Sequence, residues 1–327
     1  MAKVSKLGYW IAIALLAMGL CWSLLVNIGL AATLFSGTSP SGKDYPADEE
    51  PGFDEIWSSG YGDAKVVRID LSGVIMRGRH ERLFGSDPDM VENVLSQIQA
   101  AKNDADVQAI MLEVDSPGGA VTPSDEIYTA LQTFKNSGQN RKVLVFIRDL
   151  GASGAYYASM AGDYIMAEPT SIVGSVGVIM QSLNMKGLGD MIGLKSVTIA
   201  SGENKDMLNP LKEVNPQHLE MLQSLVDDMQ DRFASIVMAS RGLESRDLLD
   251  GRVFTAQKAL DNGLIDEIGY WPDALERMKV LLGVDDLYVV RYAEEMGFLE
   301  AMMSSKAPSV PNVSAMESPS FLFQWKP

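Results

Sequence analysis

Apolar runs of strand length alternate with helix-like segments through the middle of the chain. The strand runs are rich in β-branched and aliphatic residues, and the segments between them carry apolar residues at helical spacing. Alternation at this spacing predicts parallel β-α-β units with right-handed crossovers, and therefore an α/β fold. The predicted strands are 66–71, 107–114 and 142–147, and the predicted helices are 88–101, 124–131 and a segment after Ser153.

Further elements are expected downstream of this core. Short strands are predicted at 163–167, 171–180 and 194–199, the second of them interrupted by glycines. Pro216–Arg241 has a helical apolar stripe, which predicts a face packed on the core. A helix between short extended pieces is predicted over 251–268.

Ser153 stands where a buried strand turns into a helix, with Gly151 and Gly154 around it. Glycines permit a tight turn and a close approach of substrate backbone, and the start of a helix presents unsatisfied N–H groups. Such a position suits a nucleophile. It equally suits a helix cap, because serine is among the preferred capping residues.

Composition narrows the possible functions. The 327 residues carry a formal charge of −16, which argues against nucleic-acid binding because that function needs a basic face. The single cysteine, Cys21, allows no internal disulfide and no cysteine-based metal site. With only His80 and His218, a histidine-rich metal centre is not expected either, and no cofactor is predicted.

The N-terminal segment contains no charged residue from Leu7 to Phe35. A run of this length is sufficient to cross roughly 30 Å of hydrocarbon as a helix, and it exceeds the apolar core of a secretory signal. Lys3 and Lys6 precede it, which predicts a cytoplasmic N-terminus and a domain outside the cytoplasm. We therefore expect a cytoplasmic stub and transmembrane anchor over 1–35.

The segments on either side of the predicted core have the composition of unstructured chain. Residues 36–63 are rich in Gly, Ser, Pro and acidic residues, which predicts a flexible linker. A folded domain is expected over 64–300 and a disordered tail over 301–327. The apolar end of that tail, Phe321–Trp325, is a candidate to pair as an added strand in the chain's own groove.

A catalytic serine needs a base, and no histidine lies in any motif of this chain. Lysine is an alternative, although at its ordinary pKa of about 10.4 it must lose its solvation before it can act as a base. Lys205 lies in a polar loop that follows the predicted strand 194–199. On its own it also fits a solvated surface lysine.

Five motifs taken together resemble the signal peptide peptidase A family, in its short, single-repeat form. Their order, their spacing and the N-terminal uncharged run match that family, and the similarity extends from about Val66 to about Gly297. The motifs are Asp115-Ser116-Pro117-Gly118-Gly119, Gly151-Ala152-Ser153-Gly154-Ala155-Tyr156-Tyr157, Gly174-Ser175-Val176-Gly177-Val178, Ser201-Gly202-Glu203-Asn204-Lys205-Asp206 and Gly251-Arg252-Val253-Phe254.

The resemblance implies a fold like ClpP and crotonase, built of repeated β-β-α units, and a serine endopeptidase with a Ser-Lys dyad. Ser153 matches the nucleophile and Lys205 the general base, while Ser175 matches the serine that orients the lysine amine. The backbone N–H groups of Gly118, Gly119 and Gly154 are expected to form an oxyanion hole. Pro-Gly-Gly also fits an ordinary turn, and the two roles are compatible.

The same resemblance implies how the protein assembles and what it degrades. Family members form ring-shaped homo-oligomers, of eight subunits for the short form, in which the serine and lysine of one site can come from neighbouring subunits. Their substrates are remnant signal peptides and other apolar peptides. The expected location is the inner membrane of a bacterial-type cell, crossed once, with the peptidase domain in the periplasm.

Three other functions remain open at this point. A crotonase-like acyl-coenzyme-A enzyme shares the fold, but it needs neither an anchor nor a lysine at 205. A ClpP-like membrane protease for one specific membrane protein also uses a Ser-Lys pair. A non-catalytic membrane scaffold on the same fold would not depend on Ser153.

Overall fold

A computed structural model describes residues 6–35, 51–78, 80–81, 86–87, 89–293 and 321–324. The chain divides into two compact units, residues 1–46 and residues 47–327. In the first unit the backbone of Lys6–Phe35 forms helix α1, with side chains described at Trp10 and over 14–28. Over the described residues, no helix has both the length and the apolar character that a membrane crossing requires. The transmembrane helix predicted within 1–35 is therefore not confirmed.

The second unit alternates strands and helices, as the sequence predicts. Its strands are β1 (Asp54–Ser59), β2 (Ala64–Ser72), β3 (His80–Glu81), β4 (Ser86–Asp87), β5 (Val107–Ser116), β6 (Gly118–Ala120), β7 (Lys142–Ala152), β8 (Tyr164–Ala167), β9 (Ile172–Gly174), β10 (Ile179–Met180), β11 (Val253–Thr255), β12 (Glu267–Ile268), β13 (Leu287–Ala293) and β14 (Phe321–Gln324). Its helices are α2 (Met90–Asn103), α3 (Val121–Asn136), α4 (Gly154–Ser159), α5 (Lys186–Ile192), α6 (Pro216–Arg241), α7 (Ala256–Asp261) and α8 (Trp271–Leu282), with a 3₁₀ turn at Glu203–Asp206.

The main sheet is largely parallel. Its strands lie in the order β1-β13-β2-β5-β7-β8-β12, and every neighbouring pair is parallel except β1 with β13 at one edge. Because the helices cover both faces, the central strands are buried on both sides and read as continuous apolar runs. On β2, for example, Val67 packs in the larger apolar cluster while Val66 packs in the smaller one, which Ala274 and Met278 of α8 complete.

Strand β7 changes partners along its length. Its first part pairs with β8, from Leu144 to Ile147, and its last part pairs with β9, from Leu150 to Ala152. Strand β11 adds to β9 in antiparallel fashion. The end of β7 is therefore enclosed between β5 and the β9–β11 pair, and the residue that follows it is Ser153.

Three sequence-based expectations differ from the structure. Strand β1 lies inside the predicted linker 36–63, where Ile56 and Trp57 pair with Arg291 and Val290 of β13. Residues 194–199 form no strand, although their composition predicted one. On α6 the apolar stripe packs on the core only in part, because Leu219 and Leu225 in its first half are exposed.

Candidate active site

Ser153 occupies a tight, buried turn between β7 and α4. Its φ angle is +55°, a conformation that costs free energy for any residue with a side chain and that clusters at functional sites. Only 1% of the residue is exposed. Its N–H donates to Gly174 O at 2.7 Å, and its carbonyl accepts the N–H of Tyr157 at 2.8 Å. The turn is therefore held from both sides by backbone hydrogen bonds.

Ser175 is the second non-glycine residue of the site with a positive φ, +52°. It directly follows β9, whose Gly174 pairs with Ala152 of β7, so the two serines lie on adjacent strand ends. The Ser175 N–H donates to Arg252 O at 2.8 Å. A Cβ added at Gly174, whose φ is +105°, would lie 2.9 Å from the Phe254 ring. The 174–178 and 251–254 motifs thus form one packed unit behind Ser153.

Gly118 and Gly119 form most of β6, on the other side of the site. The Gly118 N–H donates to Ser116 Oγ at 3.1 Å, so this predicted oxyanion donor already has an acceptor. Gly118 O accepts from Ile75 N, and Ala120 N donates to Ile75 O. Because successive backbone groups of a strand point to opposite edges, the N–H and C=O of Gly119 face away from Ile75.

The edge that Gly119 faces is occupied by β14. This strand pairs antiparallel with β6, where Phe323 lies opposite Gly119 and Gln324 opposite Gly118. On its other side Leu322 lies opposite Ile179 of β10. The prediction that the end of the tail pairs as an added strand is confirmed. The groove between β6 and β10 accommodates an extended backbone.

Lys205 lies in different surroundings. It is exposed within the 3₁₀ turn Glu203–Asp206, and its N–H donates to Gly202 O at 3.1 Å. The adjacent Asp206 forms an ion pair with Lys212 at 2.5 Å, and this hydrogen bond lowers the pKa of the Asp206 carboxyl. Among the hydrogen bonds of the described residues, none joins Lys205 Nζ to Ser153 or Ser175. The structure thus places Ser153, Gly154, Ser175, Gly118 and Gly119 on neighbouring strand and helix ends, and among the described residues it shows no hydrogen bond between Lys205 and either serine.

Residues 181–215, which we call the lysine segment, are exposed almost throughout. Val197 is 89% exposed and Ile199 is 99% exposed, and of the whole segment only Gly189 is buried. A cavity of about 580 Å³ lies between this segment and the first half of α6, with Leu183 and Leu219 in its lining. Exposed apolar side chains grouped in one segment are a common feature of protein–protein interfaces.

A polar network that the sequence did not predict connects α4 to α3 and α6. Tyr157 OH donates to Asp125 Oδ1 of α3 at 2.5 Å, and Arg232 of α6 forms an ion pair with the same carboxylate at 2.6 Å. Burial and the hydrogen bond to Asp125 raise the pKa of the Tyr157 hydroxyl, which therefore stays protonated as a donor. The Tyr156-Tyr157 pair within the motif was the only signal in the sequence, because its partners lie far away along the chain.

The comparisons with known proteins agree with one another over the second unit of the chain. The Peptidase family S49 model matches residues 135–285, and the Clp protease model matches residues 71–173. An Enterococcus faecium protein named as a signal peptide peptidase SppA is 31% identical over 257 residues, covering 77% of this chain and 74% of its own. The chain belongs to peptidase family S49. The family predicted from the five motifs is therefore confirmed.

Other relatives carry similar names. A Synechocystis protein named as a protease is 34% identical over 68% of this chain and 76% of its own length. Protease 4 of Salmonella typhi is 29% identical over 75% of this chain, but the match covers only 39% of that longer protein. This S49 chain is thus a serine endopeptidase on a mixed α/β fold with a ClpP-like part, as the sequence predicts.

Proposed function

We propose that this S49 peptidase is a membrane-anchored endopeptidase that uses a Ser153–Lys205 dyad to degrade remnant signal peptides and other apolar peptides at the membrane. The observation that carries the proposal is the buried Ser153 turn, strained at φ +55°, beside a groove that already accommodates the extended strand β14. A strained strand-to-helix turn is a recurrent way to present a nucleophilic serine.

In the proposed reaction Ser153 Oγ attacks the carbonyl carbon of the scissile peptide bond. The neutral amine of Lys205 takes the hydroxyl proton and then gives it to the leaving amine, which departs as the first product. Water, deprotonated by the same amine, attacks the resulting ester and releases the second product. Ser175 is proposed to hydrogen-bond the lysine amine and direct it towards Ser153.

The developing oxyanion requires N–H donors that point into the groove and are free when substrate occupies it. We assign this role to Gly154, whose N–H at the start of α4 has no acceptor within its helix, and to Gly119, whose N–H faces the groove and is released when β14 leaves it. Gly118 is a weaker candidate than the sequence suggested, since its N–H donates to Ser116 Oγ. Loss of one such donor typically costs about 2.7–4 kcal/mol of transition-state stabilisation.

The base is proposed to come from a second copy of the chain. Lys205 is exposed and lies in an apolar, exposed segment, whereas a lysine that acts as a base must be desolvated. Packing of the lysine segment on a neighbouring subunit would bury its apolar residues and remove water from Lys205 at once. A closed ring of subunits, with eight as the expected number, satisfies every such interface.

The proposed membrane location rests on the sequence. Leu7 to Phe35 carry no charge, and a run of this length could cross roughly 30 Å of hydrocarbon as a helix. An anchored peptidase can take apolar peptides directly from the bilayer, so they need not pass through water. A reporter fused to the C-terminus tests the orientation, because activity confined to the cytoplasm would contradict a periplasmic peptidase domain.

The test of function is cleavage of a quenched apolar signal-sequence peptide by the full-length protein in detergent micelles. Wild type, Ser153→Ala and Lys205→Ala are compared, with assembly checked by light scattering. We expect turnover by wild type and none by either variant while the assembly is intact. Turnover by the variants at the wild-type rate would contradict the dyad and favour a scaffold.

A further inference from the structure

The loop after β2, residues 73–78, packs along the edge of β6 that faces away from the groove. Ile75 N donates to Gly118 O at 2.9 Å, and Ala120 N donates to Ile75 O at 2.7 Å. Ile75 itself is fully buried. Strand β6 therefore lies between this loop on one edge and the groove on the other, and the position of its backbone depends on the loop.

The contact between the loop and β6 leaves no free space. A Cβ added to Gly119 would lie 2.0 Å from Ile75 O, well inside any allowed distance. At the start of the loop, Ser116 Oγ donates to Gly73 O at 2.6 Å and also accepts the Gly118 N–H. A shift of the loop must therefore move Gly119, because a closely packed contact transmits displacement.

The far end of the loop is tied to two helices by one side chain. Arg77 donates to Glu92 of α2 at 3.0 Å and to Glu126 of α3 at 2.6 Å. The following residue, Gly78, donates its N–H to Asp89, which caps α2. One guanidinium thus joins the loop to two neighbouring helices, and its planar arrangement of donors suits such a double contact.

We infer that Arg77 is a positioning residue for catalysis, which sets the place of the Gly119 N–H by fixing loop 73–78 against α2 and α3. The inference rests on the proposed function, in which Gly119 serves as an oxyanion donor. In the proposed reaction Arg77 does not touch the substrate. It acts through Ile75 and the backbone of β6.

The expected effect is on turnover more than on folding. Arg77 and Glu92 are exposed and Glu126 is half-buried, and ion pairs that solvent reaches contribute little to stability. A misplacement of about 1 Å at a catalytic group, in contrast, costs up to ~10²-fold in rate. Oxyanion contacts form mainly in the transition state, so their loss lowers kcat with KM nearly unchanged.

The test compares Arg77→Ala with Arg246→Ala in the full-length protein. Arg246 is a matched control because it forms a similar exposed ion pair, with Asp231, and neither residue belongs to loop 73–78, β6 or β14. We expect Arg77→Ala to lower kcat about tenfold with KM within about twofold and no change in thermal midpoint relative to Arg246→Ala. The double substitution Glu92→Gln with Glu126→Gln should reproduce this loss, and adding Arg77→Ala to it should cause no further loss.

Three results would contradict the inference. If Arg77→Ala matches Arg246→Ala in kcat, if only KM changes, or if the losses in the combined variant simply add, Arg77 is not a positioning residue. Ser153→Ala is measured alongside. If Ser153→Ala retains turnover, the proposed function fails together with the inference, whereas an inactive Ser153→Ala with a fully active Arg77→Ala overturns the inference alone.

Discussion

The turn at Ser153 and the lysine segment, residues 181–215, differ in almost every physical respect. Around Ser153 the chain is buried, the backbone is strained, and its polar groups are paired with β9 and α4. In the lysine segment most side chains are exposed, and the residues 194–199, which have strand composition, pair with no strand of the described chain. Both carry a predicted catalytic residue, but only the first is complete within one chain.

The difference shows which interactions stabilise the conformation of each half of the site. Backbone strain at Ser153 persists because the sheet and its neighbouring strands fix that turn. The surroundings of Lys205 supply no such constraint, and apolar side chains such as Ile199 remain in water. A second copy that covers them would stabilise the segment and the base together.

Removal of the nucleophile should have the largest effect. Ser153→Ala should lower kcat by at least about 10³-fold, because the reaction loses its covalent route and keeps only binding and oxyanion contacts. Ser159→Ala is the matched control, since Ser159 is also buried in α4 but its hydroxyl donates to Ala155 O. Equal activity of both variants would contradict the role of Ser153.

Two glycine substitutions compare the rigidity of the two regions. Gly119→Ala should lower the free energy of unfolding by about 3 kcal/mol, because the new Cβ meets backbone atoms of Ile75. Gly202→Ala, beside Lys205, should change it by less than about 0.5 kcal/mol, because no atom lies within 4 Å of its added Cβ. Urea unfolding measures both, and similar values would contradict the contrast.

A charge placed in the lysine segment should disrupt assembly and leave the fold unchanged. An apolar residue at the centre of an interface contributes about 2 kcal/mol, so Ile199→Asp should weaken association about 30-fold and reduce turnover with it. Val280→Asp is the control, since Val280 is 69% exposed on α8. If Ile199→Asp assembles as wild type does, this segment is not the interface.

Removal of the tail should have the smallest effect. Because β14 occupies the groove beside Gly119, deletion of residues 318–327 should raise turnover of low concentrations of peptide about two- to tenfold. A variant with residues 318–327 in scrambled order keeps the length and serves as control. Unchanged kinetics after deletion would mean that the tail does not compete with substrate.

Much of the region around Ser153 could be predicted from the sequence because its signals are local. Continuous apolar runs indicated the central strands, and the glycines beside Ser153 indicated a tight turn. The family resemblance then connected these motifs. What it did not reveal is that Ser116 Oγ engages the Gly118 N–H, a contact that depends on the exact shape of the turn.

The remaining differences come from contacts between distant residues. Strand composition leads to a strand only where a partner strand is available. The strand predicted over 194–199 is therefore absent, and β1, which lies in a polar segment, was not predicted. Helical spacing on α6 is the same in both halves, and only the tertiary contacts distinguish exposed Leu225 from buried Phe233. Arg77 lies 15 residues from Glu92 and 49 from Glu126, without a pattern that predicts either ion pair.

The central claim is that one catalytic site combines Ser153 of one chain with Lys205 of another. It is tested most directly by co-expressing Ser153→Ala and Lys205→Ala chains, each inactive alone, and measuring peptide cleavage by the purified mixed assembly. If neighbours share each site, random mixing in equal amounts leaves about a quarter of the sites with both residues, and about a quarter of wild-type activity should return. No return of activity in assemblies that contain both chains would contradict a shared site.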